Sequence, residues 1–183
     1  MAISIGITRG IQFLHTGVAP GIFGNNIKIE NILLDDSLNA KVSGYKIPLP
    51  SNHIDRYISA YYGLPHPLFN DIAEKEDIYQ LGVILLEVIT GKAITSASEV
   101  EDLKDELERG LSEAASVLRE VTDPTIKGSY AYESLRTTVQ ITINCLSKVS
   151  SMRPSVEDVL WNLQYSIQVQ ENWTSSGNLG TKM

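Results

Sequence analysis

Apolar residues recur at helical spacing from the start of the chain, at Ile3, Ile7, Ile11 and Leu14, and predict an amphipathic helix. Gly17, followed by Pro20 and Gly21, stops it. Two short apolar runs, Ile32-Leu33-Leu34 ahead of Asp35-Asp36 and then Ala40 to Ser43, predict a small β-hairpin. Little else reads as strand. Between Pro48 and Asp71 the periodicity vanishes among prolines and tyrosines, which predicts a long irregular loop. Glu76 to Thr90 then reads as a helix, and its middle, Leu81 to Leu86, is apolar on nearly every face. A helix greasy all round belongs at the centre of a domain. Gly91 ends it.

Ser98 and Glu101 have capping-box spacing, and Val100, Leu103, Leu107 and Leu111 give the acidic helix that follows one apolar stripe. Its carboxylates read as a solvated face. Leu135, Val139, Ile143 and Leu146 mark a further amphipathic helix. Val156, Val159, Leu160, Leu163 and Ile167 mark the last, with Ser155 as its cap after Pro154. Residues 172–183 read as a disordered tail, Ser/Gly-rich from Thr174 on. The expectation is one mainly α-helical unit over residues 1–171 with a short β-hairpin and no internal repeat.

At 183 residues and 43% apolar content the chain can bury one core and not two. The formal charge of -7 weighs against nucleic acid and anionic lipid as partners, since both demand an excess of Lys and Arg. A lone cysteine, Cys145, lies in an apolar helical pattern, cannot form an intrachain disulfide, and reads as a buried, inert thiol of a reducing compartment. No signal-peptide pattern opens the chain. The most apolar stretch, Ile78 to Ile89, contains Glu87 and falls short of the roughly 20 residues a bilayer requires. A soluble, cytoplasmic chain without membrane insertion is expected. His15, His53 and His66 are scattered without ligand spacing and read as surface or capping residues. Trp161 and Trp173 read as packing residues of the terminal helix. The Ser51, Tyr57, Ser59, Tyr61 and Tyr62 hydroxyls could accept phosphate in the long loop, or simply make it polar. The sequon Asn172-Trp173-Thr174 carries no weight in a chain with no sign of secretion.

Three landmarks in order add a family to this picture. The segment Gly24-Asn25-Asn26-Ile27-Lys28-Ile29-Glu30-Asn31, followed by Ile32-Leu33-Leu34-Asp35, resembles the protein-kinase catalytic loop, H-R-D-x-K-x-x-N and an apolar strand. Ala73-Glu74-Lys75-Glu76-Asp77-Ile78-Tyr79-Gln80-Leu81-Gly82 is similar to the T-E-K-S-D-V-Y-S-F-G run that opens the buried helix of plant receptor-like kinases. Arg153-Pro154-Ser155 resembles the R-P-S of their last helix. Asn144-Cys145-Leu146 and Asp158-Val159-Leu160-Trp161-Asn162-Leu163 point to the leucine-rich-repeat members, including those described as inactive. The resemblance implies the C-terminal helical lobe of the protein-kinase-like fold.

It also implies a lost active site. In an active kinase the catalytic-loop aspartate accepts the substrate proton and a second aspartate, in D-F-G, holds magnesium on the nucleotide phosphates. Asn26 stands in the first slot and Gly44, of Gly44-Tyr45-Lys46, in the second. An amide is no base near neutral pH, and glycine offers no side-chain ligand. Lys28 and Asn31 keep their slots and read as braces of the loop. The A-P-E glutamate is missing from Gly63-Leu64-Pro65, which leaves Arg153 to find another partner. Asp77, which in the family accepts backbone N–H groups of the catalytic loop, is retained. A glycine-rich phosphate loop and the strand lysine of an N-terminal lobe are not in the 183 residues, so a truncated product or incomplete gene model is expected, its parent a receptor at the cytoplasmic face of the plasma membrane.

The implied function is that of a pseudokinase C-lobe with no cofactor, acting by binding a protein, such as an active receptor kinase. The alternative is a Ser/Thr protein kinase with residual ATP-dependent phosphotransfer in its full-length form, the one case in which ATP and magnesium enter. An isolated lobe is further expected to be marginally stable, with apolar surface exposed.

Overall fold

The computed structural model describes the chain over residues 1–19, 21–45, 66–113 and 115–177. The first helix, α1, spans Ala2–Thr16. Strand β1, Ile32–Leu34, pairs antiparallel with β2, Ala40–Val42, in the register Ile32 opposite Val42 and Leu34 opposite Ala40. Five more helices follow among the described residues: α2 His66–Thr90, α3 Ala97–Ser112, α4 Ala115–Val121, α5 Tyr132–Cys145 and α6 Val156–Gly177.

Helix α2 is the axis of the molecule because its apolar residues are spent in two directions. Ile78, Leu81, Ile84 and Leu85 pack with Ile7 and Ile11 of α1 and with Val159 and Leu163 of α6. Leu86 and Ile89 pack instead with Leu103 and Leu107 of α3 and Val139 of α5. Leu81 and Leu86 are completely buried. Each such side chain contributes about 1.5–3 kcal/mol through removal from water, which is why a helix without a polar face is stable only here. Gly82 lets α5 approach: a Cβ built there would stand 2.8 Å from Cys145 Cβ.

Five details differ from the pattern-based reading, the first being helix α4, Ala115–Val121, a segment given no element by its apolar pattern above. Helix α2 begins at His66, ten residues before Glu76, inside the stretch assigned to an irregular loop. Pro67 falls in its first turn, where a missing N–H is no loss. Residues 46–65, which include the loop from Pro48 up to that helix, lie outside the described residues, as do His53 and the Ser51, Tyr57, Ser59, Tyr61 and Tyr62 hydroxyls.

Helix α3 is capped by Ser96, two residues before Ser98. The Glu99 N–H donates to Ser96 Oγ at 3.3 Å, and the Glu99 carboxylate accepts the Thr95 N–H at 2.7 Å. Both serines have a glutamate three residues on, so spacing alone does not separate them. Starting the helix at Ala97 leaves Glu101 free to pair with Lys148 at 2.9 Å.

Helix α6 continues to Gly177, through residues read as tail. Thr174 Oγ1 and Ser176 Oγ donate to the carbonyls of Gln170 and Asn172 at 2.9 and 2.8 Å, which lets hydroxyl residues stay helical. Trp161 and Trp173 are exposed on this helix and pack into no core.

Candidate functional site: the degenerate catalytic loop

The chain between α1 and β1 has little regular structure, and its position is set by one buried carboxylate. Asp77, near the middle of α2, has no solvent exposure. Its Oδ1 accepts the Asn25 N–H at 2.7 Å. Its Oδ2 accepts the Gly24 N–H at 3.0 Å, Asn25 Nδ2 at 3.0 Å and His15 Nε2 at 2.9 Å. A carboxylate only accepts, so His15 donates through Nε2. Charge-assisted bonds of this kind are about twice as strong as neutral ones in a dry interior. Gln80, one turn further along α2, adds a bond from the Ile27 N–H to its Oε1. Ile27 itself is buried in the main core.

His15 is therefore not a surface or capping residue. It is 5% exposed, with Phe23 against its ring at 4.9 Å between centroids. The spacing from Ile11 to His15 is the i, i+4 step of the buried stripe of α1, the one sequence signal that marks it as inward. Neither Asn25 nor Gln80 carries a comparable signal, because each acts through a partner more than fifty residues away. His15 Nδ1 and Asn25 Oδ1 are buried without a hydrogen-bond partner among the described residues.

The exposed side of the loop carries Asn26 and Lys28, with Asn31 and Gly44 beside them. Asn26 is exposed and adopts a left-handed backbone, φ 47°. Asn31 turns its amide inward: Nδ2 donates to the Asn26 carbonyl at 3.3 Å, while its own carbonyl accepts Ser43 N–H and Oγ, each at 2.8 Å. Lys28 is exposed, and no ion pair or hydrogen bond engages its ammonium among the described residues. Lys28 enters the loop brace only through its carbonyl, which accepts the Asn31 N–H at 2.9 Å. Gly44 has φ 74°, and a Cβ there would lie 3.1 Å from Asn31 Cγ and Nδ2. A side chain at position 44 would meet both backbone strain and the Asn31 amide. Asn26, Lys28, Asn31 and Gly44 together offer no carboxylate, and no group of three or more His, Cys, Asp or Glu side chains among the described residues could hold a metal ion.

Within one turn of Asp77 on α2, Arg153 has partners. Its Nε donates to the Ser147 carbonyl and its Nη1 to the Lys75 carbonyl, both at 2.9 Å. Glu76 Oε2 lies 3.6 Å from Nη1, and the Tyr79 ring lies under the guanidinium at 4.7 Å. Lys75 Nζ returns a bond to the Arg153 carbonyl at 2.9 Å. Residues 73–79 thereby hold the start of α6 as well as the catalytic loop. Gly63-Leu64-Pro65 lies outside the described residues. Cys145, the single thiol, is fully buried, and burial pushes its pKa up to about 12, so it stays protonated at neutral pH. No helix among the described residues is long and apolar enough to cross a membrane.

Comparison with known proteins bears on this geometry. The chain is 59% identical, over 98% of its length, to an Arabidopsis thaliana protein designated a probable LRR receptor-like serine/threonine-protein kinase. It is 42% identical, over 97% of its length, to a second Arabidopsis protein designated a probable inactive leucine-rich repeat receptor-like protein kinase. It spans 24% and 22% of the length of these two relatives. Among solved structures, the pseudokinase domain of BIR2, described as an immune regulator of the RLK/Pelle family, superposes with a TM-score of 0.68 at 26% identity. That match covers 91% of this chain and 51% of the other. No protein-family model matches the sequence.

A helical lobe built round α2, with a loop and hairpin pinned to Asp77, is the C-terminal lobe of a protein-kinase-like fold. The particular family is the plant leucine-rich-repeat receptor-like kinases, to which this chain belongs.

Proposed function

We propose that this lobe is a pseudokinase C-lobe that works in receptor signalling by binding another protein, such as an active receptor kinase, at the cytoplasmic face of the plasma membrane. The observation that carries the reading is the loop itself. Asp77 still holds it in shape, while the two positions that need a carboxylate present an amide, Asn26, and a glycine whose missing side chain leaves room for Asn31. A magnesium ion on triphosphate calls for carboxylate oxygen, and the donors here are amides, so neither ATP nor magnesium has a role in this reading. The relative designated inactive and the pseudokinase neighbour support it.

A second reading is favoured by one observation: the relative at 59% identity is designated a serine/threonine-protein kinase. In that case the full-length protein retains ATP-dependent phosphotransfer, with Lys28 and Asn31 as the surviving residues. One experiment separates the two. Phosphotransfer from labelled ATP with magnesium is measured for the full-length receptor and for its Asn26→Asp/Gly44→Asp variant. No incorporation by the unaltered protein is expected; turnover equal to that of the double variant would sink the pseudokinase reading.

A further inference from the structure

The start of α1 and the end of α2, the ends away from the loop, enclose a cavity of about 240 Å³ together with α5 and α6. Leu85 and Ile89 of α2 and Leu135 of α5 line it and are buried. Val88 and Ile126, also on its wall, are exposed and form the mouth. The floor is buried and the mouth apolar. At ~30 Å³ for each water-sized group the space holds about eight of them. It exceeds the ~150 Å³ of an apolar cavity that takes up benzene.

The polar side chains on the walls are, with one exception, already bonded inside the protein. Ser134 Oγ donates to the Ser166 carbonyl at 2.8 Å, and Thr138 Oγ1 donates to the Ser134 carbonyl at 2.9 Å. The Gln170 amide is held at both ends: its Oε1 accepts the Ala131 N–H at 2.8 Å, and its Nε2 donates to the Ser129 carbonyl at 3.0 Å. Ser4 is the exception. The residue is 2% exposed, lines the cavity, and its Oγ has no hydrogen-bond partner among the described residues.

These walls narrow the occupant. A buried hydroxyl without a partner is costly, which favours a ligand that brings an oxygen to Ser4. Water is poorly suited, because it needs two to four polar partners and would find one free side chain. No lining side chain carries a charge at neutral pH. Burial also pushes the amino group of Met1, which lines the cavity too, below its ordinary pKa. A neutral molecule fits such walls and an ion does not.

We infer that this cavity is a binding site for a small neutral ligand, an aliphatic molecule of about eight carbons with one hydroxyl or carbonyl oxygen. The oxygen pairs with Ser4 Oγ, and the chain lies against Leu85, Ile89 and Leu135. The site is separate from the loop, so it does not depend on the pseudokinase reading.

The test uses the full chain with 1-octanol as probe. Binding is expected to raise Tm with alcohol concentration and to shift the methyl resonances of Leu85, Val88, Ile89 and Leu135, with those of Leu103 and Leu107 unchanged. Val88→Trp sets a large ring in the exposed mouth; it is expected to weaken binding at least about tenfold with helical circular dichroism unchanged. Ser4→Ala is expected to weaken 1-octanol about three- to tenfold, the loss of one hydrogen bond, and to leave toluene, which has no oxygen, unaffected. 1,8-Octanediol, whose second hydroxyl finds no free partner, is expected to bind at least about tenfold more weakly than 1-octanol.

Shifts spread over the surface, or a Tm rise that Val88→Trp leaves in place, overturn the inference. An equal response of 1-octanol and toluene to Ser4→Ala overturns the assignment of a ligand oxygen. Binding by this chain that the full-length receptor does not share also counts against the site, since other parts of the receptor then fill the cavity. Flotation with phosphatidylcholine vesicles that Val88→Trp abolishes would give the cavity to a membrane lipid chain and overturn the free ligand.

Discussion

The core around α2 and the loop-and-hairpin face above it are held by different means. In the core, Ile78, Leu81 and Leu86 have lost all exposure, and two packed clusters share one helix. On the face, Leu33, Leu34 and Leu38 are 56%, 47% and 63% exposed, so the β1–β2 hairpin leans on the core rather than carrying a core of its own. Two kinds of contact link the regions: Ile27, Ile32, Ala40 and Val42 pack against the main cluster, and one carboxylate, Asp77, buried in the first region, is bonded to the backbone of the second. What separates them is the kind of residue each depends on: the core needs apolar volume at fixed positions, whereas the loop keeps its path through one buried carboxylate and presents amides and a glycine, Asn26, Asn31 and Gly44, on its exposed side.

Removing the polar link gives the largest expected effect. Asp77→Ala leaves the Gly24 and Asn25 N–H groups and His15 Nε2 without an acceptor, and should cost about 3–5 kcal/mol. Urea unfolding measures this, and amide exchange at Gly24 and Asn25 should accelerate with it. Leu81→Ala, at the junction of α2 with the core, should cost about 3 kcal/mol through lost burial and a cavity.

Gly82→Ala introduces a methyl group where Cys145 Cβ stands 2.8 Å away, and overpacking there should cost about 1–3 kcal/mol, visible as a lower Tm. Leu33→Ser tests the opposite claim. On the exposed strand it should change stability by less than about 0.5 kcal/mol; a loss comparable to that of Leu81→Ala would mean that the hairpin has a core after all.

The smallest effect expected is confined to the hairpin turn. Asp35 accepts the Asn39 N–H at 2.9 Å, the Asn39 side chain at 3.1 Å and the Ser37 N–H at 3.0 Å. The Asn39 backbone bond is the main cause that holds its carboxyl below the usual aspartate value. A lowered folded-state pKa stabilises above the unfolded value and ceases to do so as pH falls through the folded one. Acidification below the ordinary carboxylate range should therefore loosen the turn first. Amide shifts of Ser37 and Asn39 followed against pH would register it, with core resonances unchanged over the same window.

Much of this architecture was legible along the chain. The stripe from Ile3 to Leu14, the all-apolar Leu81–Leu86 and the hairpin runs each report a local period, and a local period needs no partner to be read. That Asn26 and Gly44 offer no carboxylate is local in the same sense, since side-chain chemistry is a property of the residue. The errors fell where two local solutions were equal or where distance intervened. Ser96 and Ser98 both fit a capping box, and the pairing of Glu101 with Lys148, 47 positions on, fits the earlier start. His15 was misplaced because its acceptor, Asp77, is 62 positions away. Trp161 was misplaced because its hydrophobicity says nothing about which face of α6 meets the core.

The sequence by itself determined five of the six helices, their order and the hairpin, because these follow from residue type and spacing. Only the tertiary structure decided that Asp77 joins His15 to the loop, that Arg153 is satisfied by Lys75, Glu76, Tyr79 and Ser147, and that α6 turns Trp161 and Tyr165 outward. Those are contacts between segments far apart in the chain. Their geometry is set by how the helices pack on α2, which no single segment encodes.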